Sequence, residues 1–426
     1  VGTDVELDVG AVAHGGHCVA RWEGRVVFVR HTLPGERVRA RITEGGDGSR
    51  FLRADAIEVL QASPDRVEPR CPFSGPGRCG GCDWQHASLD AQRRLKADVV
   101  HEQLQRLGGL DVPVTVEPVP GDVDGLAWRT RVQHAVTPDG HLGLRAHRSH
   151  HVVAIDACPI ADPRVQDVER AVPRWPGAAR VEVVAPSGEA TPLVLVEPVG
   201  RRTPPVPPSA ELDAAVAITG RDGLERVRGR TWVSEDVTVG SWHARLRVTG
   251  SGFWQVHPGA AATLVGAVLD QLDPQPGEQA LDLYAGVGLF TAALAEGVGP
   301  QGAVLAVEGD AQAVRDARRN LHDLTHVAIT AGRVDRVLGA AVEQGLQADL
   351  VVLDPPRTGA GRRVVEQVVA VRPRAVVYVA CDPAALARDV RTFAEHGYRL
   401  DALRAFDCFP MTHHVECVAR LVPAGD

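Results

Sequence analysis

Lysine is nearly absent. Lys96 is the only one in 426 residues, so every other side chain among the 46 Lys plus Arg is an arginine. Arginine's planar fork suits bidentate phosphate contacts, although a GC-rich genome leaves the same bias. Nothing approaches the ~20 consecutive apolar residues of a membrane span. The opening VGTDVELDVG has no positive region followed by an apolar run, so no secretory leader is expected there. A positive charge excess is also missing. The net charge of −8 argues mildly against a nucleic-acid partner, but its distribution softens that reading. Residues 1–150 hold 20 acids against 19 Lys plus Arg and nine of the 17 histidines, and a basic strip runs through WRTRVQH and HLGLRAHRSHH at 128–151. That strip reads either as a solvated strand pair or as a phosphate-contacting face. With no export signal, the eight cysteines are not expected to form a disulfide framework.

What is present describes a folded, soluble chain: 44% hydrophobic and 23% charged residues, long enough for two or three domains. Residues 1–61 read as short strands (GRVVFVRH, ERVRARIT, ADAIEVL) broken by Leu-Pro-Gly and Gly-Gly-Asp-Gly turns, the pattern of a small β-barrel of a kind that often binds RNA. Residues 62–252 carry a cysteine-bearing stretch, a helix over 89–107 ending at Gly108-Gly109, and a strand-rich remainder with a Pro-rich loop, RRTPPVPPSAEL. From 253 to 426 apolar strands alternate with helical stretches, which predicts an α/β domain with a mostly parallel, doubly wound sheet. Ligands of such sheets bind beyond the carboxyl ends of the strands.

The first of these strands runs into LDLYAGVGLFT, where Gly286 and Gly288 allow a tight turn and the next helix points its N-terminus at a ligand. Glu308 follows Gly288 by twenty residues, the spacing of an acid that takes the two hydroxyls of a ribose. Thr291 stands where a dinucleotide fingerprint needs its third glycine. That favours a methyl donor without a pyrophosphate over a dinucleotide or a plain structural turn, and Asp282 could serve its amino-acid end.

Asp354 ends another strand in LDPPR. The follower Arg357 is not the aromatic residue that stacks on a base in amine methylation, which argues against that chemistry. Cys381 ends the strand AVVYVA just before a helix, a position that should lower its thiol pKa from the usual ~8.5. Glu416 sits in an apolar strand, where a carboxylate is costly to bury without a role or a partner. A thiolate and a base suit methylation at carbon 5 of uracil. The thiolate adds to carbon 6, carbon 5 becomes nucleophilic, and the base later removes the carbon 5 proton so that the thiol can leave.

The ordered motifs CGGCDWQ, GFWQVHP, DLYAGVGLFT, VLDPPRTG, YVACDPAALARD and FPMTHHVE make the chain resemble the S-adenosylmethionine-dependent RNA uracil-5-methyltransferases, some of which carry an iron–sulfur cluster. The resemblance spans nearly the full length. It implies Cys381 as nucleophile, Glu416 as base, and Gln255, Tyr284, Glu308 and Asp354 around the methyl donor and target base. It also implies an N-terminal barrel of the TRAM type over 1–61 and a Rossmann-like class I domain over 253–426, with the helix 89–107 packed on that domain. Leu289 and Asp382 depart from the asparagines common at those places in the family. CPFSGPGRCGGC gives Cys71, Cys79 and Cys82, and IDACPI a distant fourth thiol, Cys158. Three close cysteines plus a distant one before proline look more like an iron–sulfur than a zinc site, and the resemblance favours [4Fe–4S]. The expectation is a cytoplasmic, monomeric enzyme acting on ribosomal or transfer RNA. The competing reading is a non-catalytic RNA-binding or chaperone protein that keeps a methyltransferase fold.

Overall fold

The computed structural model of the chain describes residues 1–46, 48–200, 202–221 and 223–425. Its N-terminal five strands form one sheet in the order Asp4–Asp8, Arg37–Glu44, Phe51–Gln61, Arg25–Arg30, Cys18–Trp22. Their apolar residues recur every second position. Val5 and Leu7, Val27 and Val29, and Val38, Ala40 and Ile42 therefore share the buried face, while arginines and acids point out. Glu36, fully buried, fixes the exit of this unit. It accepts from Arg66 through both oxygens (2.6 and 2.7 Å) and from the Leu33 amide at 2.8 Å.

The helix Leu89–Gln103 begins at Ser88, whose hydroxyl accepts from the Ala91 amide, and it widens into a π-helical turn over Leu104–Gly108. One face, Ala91, Leu95 and Val99, shares a core with the N-terminal sheet and Trp84. Val100 and Leu104 enter the core of the C-terminal domain. The helix is therefore a common wall between the two.

A second sheet of seven strands has the order Gly223–Arg228, Ala215–Gly220, Leu193–Pro198, Ala178–Val184, Arg131–Val136, Leu142–Arg145, Val152–Ala154. The helix Pro163–Ala171, Trp128 and Trp175 fill its core. Within that core His134 and Glu169 form a buried pair at 2.6 Å, and Glu169 also accepts from the Cys158 amide at 2.8 Å. The hairpin Trp232–Val239 with Trp242–Thr249 belongs to neither large sheet; it packs with the helix Ala260–Leu272.

The C-terminal sheet has eight strands in the order Val327–Ala331, Ala303–Glu308, Gln279–Leu283, Leu350–Leu353, Ala375–Ala380, Glu416–Pro423, Tyr398–Asp407, Val116–Pro118. The first five run parallel, and the central Leu350–Leu353 and Ala375–Ala380 are buried on both faces and apolar throughout. Glu416–Pro423 is antiparallel to both its neighbours. The chain winds outward from Gln279–Leu283, then returns to lay Leu350–Leu353 on its other side. Those two strands flank the topological switch point, beyond whose carboxyl ends sheets of this kind form their ligand cleft. The far edge strand, Val116–Pro118, comes from outside residues 253–426 and is held by the ion pair of Glu117 with Arg404.

Candidate active site

At the carboxyl end of Gln279–Leu283 the backbone turns through three residues with positive φ: Tyr284 (66°), Gly286 (56°) and Gly288 (94°). A Cβ at Gly288 would meet Leu321 Cδ1 at 2.7 Å, whereas one at Gly286 would meet nothing within 4 Å. Gly288 is therefore needed for packing and Gly286 for its conformation beside open space. Glu308 Oε2 accepts from the Gly286 amide at 2.8 Å and Oε1 from the Asp310 amide at 2.6 Å, so this acid is already oriented at the rim. Asp282 is fully buried. Its Oδ2 accepts from Thr291 Oγ1 at 2.5 Å, and its Oδ1 has no partner among the described residues. Burial pushes it up to about 7. Thr291 thus stands where a third glycine would, tying the helix Leu289–Val298 back to the strand. The open turn, the oriented acid and the orphaned carboxyl oxygen fit a small cationic, ribose-bearing ligand.

Asp354 lies just beyond Leu350–Leu353, its amide donating to Leu283 O at 3.2 Å. Burial and then the nearby Asp282 push its carboxyl up to about 7. Next along the sheet, Ala380 pairs with Cys417 in antiparallel register. Cys381 and Glu416 come next beyond that pair on the two chains, and Glu416 is the foremost of the charges that act on the Cys381 thiol. Glu416 is 5% exposed, and its carboxyl is held far above the usual range by burial and then by Asp354, with Arg357 pulling the other way. The Cys381 thiol is pushed up to about 12 by burial, then Glu416 and Asp354, again opposed by Arg357. Cys381, Glu416, Asp354 and Arg357 are therefore within electrostatic reach of one another.

That result corrects the expectation of a lowered thiol pKa at a helix N-terminus. The helix Pro383–Glu395 does follow, but Asp382 Oδ1 already caps it by accepting from the Ala385 amide at 2.8 Å. Burial first, and then the carboxyls of Glu416 and Asp354, outweigh what remains of the dipole.

Cys381 opens into a cavity of about 200 Å³ that it shares with Arg357, His413, His414 and, from the N-terminal sheet, His14. His14 Nε2 lies 3.1 Å from Asp382 Oδ2. The loop carrying His413 and His414 is pinned to the cysteine-bearing stretch, since Asp83 Oδ2 accepts from His413 Nδ1 at 2.7 Å and the Asp83 and Trp84 amides both donate to Met411 O. Beneath it the fully buried Lys96 pairs with Asp407 and donates to Phe409 O at 3.0 Å. Gln255 is buried, on the segment that links the hairpin strand Trp242–Thr249 to the helix Ala260–Leu272. Tyr284 turns toward the Arg333, Asp335 and Asp389 side of the cleft, where burial and those acids push it up to about 12. Sequence reasoning missed His14, His413, His414 and the positive role of Arg357. The histidine pair stood in plain view in FPMTHHVE, whereas nothing local marks His14.

Among the described residues no group of three or more His, Cys, Asp or Glu side chains is set to hold a metal ion. The expected [4Fe–4S] site is not present as a closed ligand set. Cys71, Cys79, Cys82 and Cys158 are free thiols. Burial pushes Cys158 up to about 12 and raises Cys82 further still, and Cys82 is also raised by Cys158, Cys79 and Cys71. The four converge on one region without enclosing a single ion, which would need bonds of about 2.3 Å.

Comparison with known proteins adds independent findings. Residues 210–422 match the model of the tRNA (uracil-5-)-methyltransferase family, and residues 1–57 match the TRAM domain. An RNA methyltransferase of Streptomyces avermitilis is 52% identical over 100% of this chain and 99% of its own length. One of Bifidobacterium longum is 40% identical over 97% of this chain and 95% of its own. The crystal structure of the Pyrococcus abyssi tRNA (uracil-54, C5)-methyltransferase with S-adenosyl-L-homocysteine superposes with a TM-score of 0.74. It covers 97% of this chain and 100% of that one at 24% identity, which shows a shared fold.

Proposed function

Because this chain belongs to the tRNA (uracil-5-)-methyltransferase family, and is an S-adenosylmethionine-dependent RNA methyltransferase of the uracil-5 type, we propose that it methylates carbon 5 of one uridine in ribosomal or transfer RNA through a covalent Cys381 adduct. The observation that supports this reading is that Glu416, Asp354 and Arg357 all act on the Cys381 thiol, and Asp354 and Arg357 on Glu416 as well, where the strands ending at Ala380 and beginning at Glu416 lie side by side.

S-adenosylmethionine supplies a methyl group made electrophilic by its sulfonium charge. Tyr284, Gly286, Gly288 and Glu308 at the first turn, with Gln255 on the neighbouring segment, are the residues we assign to holding it. Cys381 adds as thiolate to carbon 6 and opens the 5,6 double bond, and the electron pair moves to carbon 5. Asp354, ionised once the cation is bound, accepts from the pyrimidine's ring N–H and orients the base at the sheet edge. Carbon 5 takes the methyl as the methyl's bond to the sulfonium sulfur breaks and neutral S-adenosylhomocysteine departs; Glu416 as carboxylate then takes the carbon 5 proton, the double bond re-forms and the thiolate leaves. The elevated thiol and carboxyl pKa values describe the chain alone. A sulfonium cation entering between Asp282, Asp354 and Glu416 favours their ionised forms.

We also propose the division 1–61, 62–252 and 253–426, supported by one large sheet centred in each, with Val116–Pro118 crossing to the edge of the third, and a monomeric, cytoplasmic protein. For the four thiols we propose a [4Fe–4S] cluster of structural role, since a cube of irons spaces its thiolates more widely than one ion does. Anaerobic purification should then yield iron and acid-labile sulfide in equal amounts; a zinc-loaded or metal-free chain overturns it. No step above passes through that group.

Labelled methyl transfer to RNA, followed by digestion to nucleosides, tests the reaction. The label should appear in 5-methyluridine; recovery in a methylated adenosine or cytidine, or in no nucleoside, contradicts it. Glu416→Gln should still form the adduct yet turn over at least about a hundredfold more slowly, and normal turnover removes it from the base role.

A further inference from the structure

The N-terminal barrel reaches the thiol cavity through one hairpin tip. Val12 bridges to Cys18, and within the tip Ala13 N donates to His17 O at 2.8 Å and Gly16 N to Ala13 O at 3.1 Å. Gly15 and Gly16 hold φ of +96° and +82°. A Cβ on Gly16 would stand 2.7 Å from His413 Cβ, so the tip is pressed against the 413–414 loop. Trp84 Nε1 donates to Gly16 O at 3.0 Å and fixes it from the other side. The tip's outermost side chain, His14, then meets Asp382, the residue after Cys381. Asp382 divides its oxygens, Oδ1 capping the helix and Oδ2 facing His14.

We propose that His14 is a positioning residue of the RNA methyltransferase: paired with Asp382, it latches the barrel tip over the cavity and completes the wall against which the target uridine binds. This rests on the reading that the Cys381 cavity is the uridine site. The groups facing His14 are Asp382 and Arg388 on the helix after Cys381, Glu102 on the helix Leu89–Gln103, and Arg357, His413 and His414 across the cavity. His17, from the same tip, points away against Phe28 and Arg53. Asp382 first, and more weakly Glu102, favour the charged imidazole, burial and then Arg388 oppose it, and the net effect is a raised pKa. The latch therefore holds below that titration and loosens as pH rises through it.

Hydrogen exchange on the full-length chain without RNA reads the latch directly. His14→Gln and Asp382→Asn, which keeps a capping side chain, should each speed exchange of the 10–18 peptide about tenfold, and the double variant no more than either single one. Steady-state methylation of RNA reads the consequence. His14→Gln should raise KM for RNA about tenfold with kcat within about twofold. His14→Arg should keep KM low and flat across the pH range where the natural chain's KM climbs. Additive effects of the two substitutions, unchanged tip exchange, or a loss confined to kcat would overturn the proposal. If Cys381 proved not to be the nucleophile, the exchange result would still stand, so the two failures are separable.

Discussion

Acidic residues gather about the Cys381 thiol on strands that are distant in sequence, and their protonation is the property most open to measurement. Asp354 has its carboxyl pushed up to about 7 from the ordinary 3.8. A group whose folded pKa is raised binds its proton more tightly in the folded chain. Its contribution to stability is complete below pH ~4 and is lost as pH climbs to about 7. Denaturant titrations should therefore show Asp354→Asn falling less steeply between those limits than the natural chain; parallel curves contradict the assignment. The same carboxyls should lose protons when a cation arrives. Calorimetric binding of S-adenosylmethionine near pH 7, in two buffers of different ionisation heat, should report proton release. S-adenosylhomocysteine, which lacks the sulfonium charge, should release fewer. Equal release from both ligands contradicts it. At this scale the sequence revealed identities more readily than electrostatics. Cys381 was legible because an unbroken apolar strand ends on it, and Glu416 because an acid in such a strand is anomalous. The direction of the thiol's shift was not, since it depends on burial by the folded chain and then on Glu416 and Asp354 arriving from other strands.

Among the elements, the loop 408–415 positions Glu416 and the two cavity histidines, and it rests on the buried Lys96–Asp407 pair. Removing one partner strands a buried charge. Lys96→Ala should cost roughly 3–5 kcal/mol in unfolding free energy, whereas Lys96→Met with Asp407→Leu should cost less than Lys96→Ala alone. Urea denaturation distinguishes these, and a double variant no better than the single one contradicts the argument. The parallel strands and amphipathic helices of the C-terminal half were readable from their periodicity. The edge strand Val116–Pro118 was not, because three residues are too few for any alternation and its pairing partner lies almost 290 positions away.

For the whole molecule, the decisive feature is that one helix is shared. Leu95 and Val99 are buried with the barrel, and Val100 and Leu104 with the catalytic sheet. Barrel and catalytic core should thus unfold as a single cooperative transition in scanning calorimetry, and two separated peaks would contradict the coupling. Sequence spacing could place the barrel and the α/β domain in order but not in contact. The meeting of His14 with Asp382 depends on a distance between units that no local pattern encodes.

The most direct test is an RNA substrate carrying 5-fluorouridine, in which the base cannot remove fluorine as a proton. With S-adenosylmethionine present the natural chain should form a stable protein–RNA complex that survives denaturing electrophoresis and maps to the peptide bearing Cys381, and Cys381→Ala should form none. A complex that persists in Cys381→Ala, or no complex with the natural chain while methylation of ordinary RNA proceeds, would contradict the covalent mechanism.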